Sequence, residues 1–137
     1  MDVWEAKRTL MEFGSSEHIC NIFKTTYDLS DTETESLWDN YLEFMVVKAL
    51  CNDRGSDRGT LFSATPLMEK LWRCHILETS HYDRFMKLVE KVNPTMDKIH
   101  HSVQPSLSSK EDEIHRRRAT AIAYRYVMYQ KFFQNTF

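Results

Sequence analysis

Three features of this chain predict an all-α fold, a compact bundle of four or five helices. Only 3 Gly and 3 Pro occur in 137 residues, too few for the turns of an all-β domain. Apolar residues recur at three- and four-residue spacing through long stretches. Ser, Thr and acidic residues stand where those stretches begin, as helix N-termini require.

Asp2 to Phe13 reads as a short helix with Trp4, Leu10, Met11 and Phe13 as its apolar residues. Gly14 breaks it, and Ser15 and Ser16 offer caps for a second segment reaching Ile22 or Phe23. Two helices and one bent helix both fit. Ser30-Asp31-Thr32-Glu33 is a capping-box sequence. Behind it, roughly Thr32 to Cys51, a core helix lines up Leu37, Trp38, Tyr41, Phe44, Met45 and Ala49. Asn52 to Thr60, with its two Asp-Arg-Gly copies, matches no phosphate-loop spacing and reads as a solvated connector.

Thr65-Pro66 begins a central helix, Pro66 to Lys91, with Thr as N-cap and Pro at the first helical position. One face collects Leu67, Leu71, Trp72, Tyr82, Phe85 and Val89, and His75, Glu78 and Thr79 fall on that face too. Asn93-Pro94 ends it, and Asn93 to Leu107 is a long connection carrying His100 and His101. Ser108-x-x-Glu111, or Ser109-x-x-Asp112, caps a last helix from about Lys110 to Phe133. Its apolar face holds Ile114, Ile122, Tyr126, Tyr129, Phe132 and Phe133, with Arg118 and Arg125 inside it. An acid in one apolar face and arginines in another predict that these two helices pack together through a partly buried Glu78–Arg118 or Glu78–Arg125 pair.

At this length one domain, 1–137, is expected, with 1–26 as an N-terminal helical extension and 30–137 as the main body. A net charge of -2 gives no general attraction to nucleic acid. The basic run His115 to Arg118 follows three acids and reads as a solvated helix start, with pairs such as Glu113–Arg117. No apolar run approaches the roughly 20 residues that span a bilayer, and the N-terminus has no apolar signal core. An odd, scattered set of 3 cysteines predicts reduced thiols in an intracellular, most simply cytoplasmic, protein.

Four separated segments carry a family resemblance. Trp72-x-x-His75-Ile76-Leu77-x-Thr79-x-x-Tyr82 follows Ser63-Ala64-Thr65-Pro66-Leu67. Tyr41 to Ala49 ends in Val47-Lys48-Ala49, Ile99-His100-His101 comes next, and Arg116, Arg117, Thr120, Tyr124 and Phe132-Phe133 close the set. Together they resemble the helical domain of plant glycine-rich domain-containing proteins and of short algal, protist and bacterial proteins. That signature reads Trp-His-x-His-Ile-Leu-x-Thr-x-x-Tyr; Arg73 replaces its first His, and Ser102-Val103-Gln104-Pro105 departs from its usual continuation. The resemblance implies a helical fold over about Leu37 to Phe133 and brings no activity with it.

The sharpest chemical candidate is the set His75, Glu78, Thr79, His100 and His101. Two imidazoles and a carboxylate suit zinc or non-haem iron, although no His-x-x-x-His or His-Glu-x-x-His spacing is present. The competing arrangement is a self-satisfied internal polar cluster, which any buried His requires. Adjacent on a helix, Cys74 and His75 point about 100° apart and make a poor thiolate–imidazole pair. Aromatics on both sides of the last helix, Tyr124 among them, and Trp4 in the N-terminal segment are candidate partner contacts. The expected function is a non-catalytic interaction module or accessory subunit, with other protein subunits as partners and no cofactor. A metal-binding domain, with or without enzymatic activity, using Zn or Fe is the alternative.

Overall fold

The computed structural model describes residues 2–53, 62–96, 99 and 110–136, with 128–136 described in backbone only. Among them are six α-helices and no strand: α1 (Val3–Met11), α2 (Ser16–Tyr27), α3 (Asp31–Leu50), α4 (Pro66–Leu77), α5 (Thr79–Val92) and α6 (Lys110–Thr136). The chain is an all-α bundle, and the helix count exceeds the expected four or five for a local reason. Glu78, at φ -86 and ψ 69, leaves helical geometry and splits the central helix into α4 and α5. The N-terminal segment is likewise two helices, parted at Gly14.

The caps of α3 and α4 follow the sequence, whereas Ser15, at the N-cap of α2, makes no side-chain capping bond. Ser30 Oγ accepts from Glu33 N while the Glu33 carboxylate accepts from Ser30 N, the reciprocal capping box. Thr65 Oγ1 accepts from Met68 N, and Pro66 sits at the start of α4. The expected caps at Ser108 and Ser109 lie outside the described residues, as do Tyr129, Phe132 and Phe133 in their side chains.

α3 is the hub and contacts every other helix. Every residue from Phe44 to Ala49 is buried, the pattern of a helix enclosed on all sides. α1 lies against α3 and α5, and α2 against α3 and α4. Val3, Ala6, Leu10, Phe13, Ile19 and Phe23 join the same core as α3 to α5. Both N-terminal helices thus contribute side chains to the bundle's core. Lys7 secures α1 to α3 through Asp39 (2.9 Å) and Glu43 (3.0 Å).

α6 reverses the expected orientation. It rests on α1 and α3 rather than chiefly on the central helix, and its inward stripe is Arg116, Ala119, Thr120, Ala123, Tyr124 and Val127. Small side chains at Ala119, Thr120 and Ala123 let the helix approach closely. The larger apolar residues, Ile114, Ile122 and Tyr126, stay outside at 44%, 67% and 63% exposure. Beside the α6 contact, Ser63 N donates to Thr120 Oγ1 (2.8 Å) and Ser63 Oγ to Glu113 (3.3 Å). These bonds tie the approach to α4 onto the last helix.

Candidate functional site

His75, which α4 places at the bundle centre, is fully buried. Its ring is surrounded by Phe13, Trp38, Tyr41, Tyr82 and Phe85, with centroids 5.0 to 5.7 Å away. Nδ1 shares a hydrogen bond with the Tyr41 hydroxyl (2.7 Å), whereas Nε2 has no hydrogen-bond partner among the described residues. Burial is the main reason its pKa falls to about 3, so the imidazole is neutral at ordinary pH. The Tyr82 ring stands at 87° to it, and the Tyr82 hydroxyl accepts from Trp72 Nε1 (3.1 Å) and donates to Ile99 O (2.7 Å). Trp72, His75 and Tyr82 therefore join α3, α4, α5 and the chain beyond α5 into one structural network.

Of the expected His/Glu set, neither Glu78 nor Thr79 gathers around His75. Breaking the helix at Glu78 turns that side chain, about a third exposed, toward His18 of α2 at 3.6 Å. Thr79, in the first turn of α5, is exposed, and His100 and His101 lie outside the described residues. The Glu78–Arg118 and Glu78–Arg125 pairs do not form. Both arginines are on the exposed face of α6, which packs on α1 and α3. The arginine that turns inward is Arg116, 2.7 Å from Glu113, and Arg117 adds the expected Glu113 contact at 3.2 Å. Although partial burial pushes the Glu113 carboxyl up, these arginines hold it below the usual range.

A different cluster forms instead. Ligand atoms of His18, Glu78 and His81 all lie within 4.8 Å of one another, at the seam between α2 and the α4–α5 break. The two imidazoles stack at 4.6 Å with planes 27° apart. Glu78-x-x-His81, one helical turn, is a readable ligand spacing. Nothing local in the sequence connects either residue to His18.

Sequence patterning also passes over a buried ion pair. Lys48 Nζ and Asp53 Oδ2 are 2.7 Å apart, with side chains 0% and 2% exposed. Asp53 also accepts from Phe62 N (3.0 Å), and the ammonium lies over the Phe44 and Trp72 rings. Burial pulls the Lys48 pKa down against the attraction of Asp53. The expected solvated connector thus begins with a buried anchor at Asp53, while residues 54–61 lie outside the described residues. The one cation inside the apolar run Phe44 to Leu50 was the sequence signal for this pair.

Of the expected partner contacts, Tyr124 and Trp4 are both half-buried against the core. Burial raises the Tyr124 pKa. Cys20, Cys51 and Cys74 are free thiols. Burial pushes Cys20 up to about 11 and raises Cys51 and Cys74 as well, the opposite of an activated nucleophile. A groove of about 610 Å³ opens between α1, α2 and α3 over Phe13, Cys20 and Trp38, with Glu17, Lys24, Asp31, Glu35 and Asp39 around it. Among the described residues, no helix is long and apolar enough to cross a membrane. No protein-family model, curated protein or solved structure matches the chain.

Proposed function

We propose that this chain is a non-catalytic interaction module, an accessory subunit that docks another protein on the outer face of α6. The observation that carries this reading is the exposure of Ile114, Ile122 and Tyr126 on the same side as Arg118 and Arg125. At 100° per residue these five occupy an arc of about 120°, over about 18 Å of helix. A face of that width ordinarily lies against a core. Here the core contact is made by the opposite stripe, so the large apolar face is left over.

The chemistry of the face selects the occupant. Among the described residues, no carboxylate pairs with Arg118 or Arg125. Apolar anchors flanked by unmatched arginines fit an amphipathic helix that carries carboxylates beside its own apolar stripe. Tyr and Arg are the residue types that interface cores favour. The absence of an activated thiol and the burial of His75 in its neutral form are consistent with a binding role.

A photo-crosslinking residue at position 122 or 126, with position 87 on α5 as control, tests this in cells. The reading expects one identified protein joined at 122 and 126 but not at 87, through a segment rich in Asp or Glu. Equal adducts at all three positions overturn it, as does a crosslinked second copy of this chain.

A further inference from the structure

We propose that His18, Glu78 and His81 form a binding site for a zinc-class divalent cation that staples α2 to the α4–α5 break. Three ligand atoms within 4.8 Å of one another are close to a metal-binding arrangement. Two ligands at zinc distances and a tetrahedral angle stand about 3.4 Å apart. His18 Nε2 and Glu78 Oε2 are already 3.6 Å apart. Two imidazoles with one carboxylate favour zinc over magnesium or calcium, which prefer oxygen ligands. Three protein ligands leave the fourth position for water or for a side chain of another molecule.

The backbone makes this meeting possible. In an unbroken helix Glu78 would follow the face of His75 into the core. The departure at Glu78, φ -86 and ψ 69, instead puts its carboxylate and His81, one turn later in α5, beside α2. α2 touches α4 directly, so an ion here would bridge segments sixty residues apart in the chain.

One neighbour opposes the ion. Arg84 donates to His81 Nδ1 (2.7 Å) and to Ser15 Oγ (3.1 Å). A guanidinium donor on Nδ1 leaves the ring proton on Nε2. Coordination through Nδ1 therefore displaces the arginine directly. Coordination through Nε2 moves the proton to Nδ1, which then faces another donor. In both cases Arg84, an exposed side chain, swings away, and the stacked rings rotate until their lone pairs converge. Arg84 is thus a built-in competitor, and its removal tightens binding.

The test is titration of the full chain with zinc chloride alone, followed by calorimetry and thermal melting. The wild type is expected to bind one equivalent and to melt at a higher temperature when loaded. His18→Ala and His81→Ala each weaken binding at least tenfold, and Arg84→Gln strengthens it several-fold. Circular dichroism of the metal-free variants confirms that each remains folded. Two results overturn the proposal: no binding by either the wild type or Arg84→Gln, or full binding by the His18→Ala/His81→Ala double variant.

Discussion

Replacing His75 with Gln tests whether the central imidazole is held neutral by its aromatic cage. The folded-state pKa of about 3 lies below the ordinary 6.5, so below pH 6.5 the unfolded chain binds a proton that the folded chain refuses. Stability from this site is complete above about pH 6.5, declines as the pH falls, and stops declining near pH 3. Each unit in that window is worth about 1.4 kcal/mol, so protonation of His75 removes about 3 kcal/mol between pH 7 and pH 4. Urea melts of both proteins at pH 7, 6, 5 and 4 measure the difference. Gln removes the titration while keeping a polar group near Tyr41, whatever its cost at pH 7. The variant should therefore lose about 3 kcal/mol less than the wild type on going to pH 4. Parallel pH profiles would refute the reasoning, because they would mean that His75 accepts its proton without unfolding.

Two further outcomes follow from the same packing. Asp53→Ala strands the Lys48 ammonium in the core and should cost about 3–5 kcal/mol in chemical denaturation, far more than Lys48→Met in the same assay. Equal losses would show that the ion pair is not enclosed. Tyr82→Phe removes the hydroxyl that donates to Ile99 O and accepts from Trp72 Nε1, for a loss of about 1–3 kcal/mol by urea midpoint. A neutral effect would remove the Trp72–Tyr82–Ile99 chain from the account.

The helical class was legible because capping and spacing are local. Ser30, Glu33, Thr65 and Pro66 mark helix starts through bonds within one turn, and each does so in the structure. The break at Glu78 is not marked by Gly or Pro; Thr79 and Ser80, which favour helix N-caps over helix interiors, were its only local signal. Missing that break placed Glu78 in the core, where an arginine partner seemed necessary. The face of α6 was misassigned for a different reason. The large apolar residues Ile114, Ile122 and Tyr126 outweigh Ala119, Thr120 and Ala123 in any apolar pattern, yet the small residues permit close approach to α1 and α3. His75 was recognised as the unusual residue of its helix, but its partners belong to the α1–α2 connection, α3 and α5 and could not be read from spacing. The same holds for His18, whose meeting with Glu78 depends on the whole tertiary arrangement.

The outer face of α6 as a docking surface is the central functional claim, and an affinity ratio tests it most directly. With the crosslinked partner purified, its dissociation constant is measured by calorimetry against the wild type, Ile122→Asp, Tyr126→Ala and Lys87→Ala. The account predicts at least tenfold weaker binding for the two α6 variants and unchanged binding for Lys87→Ala, with all four proteins equally helical by circular dichroism. Full affinity in Ile122→Asp and Tyr126→Ala would contradict it.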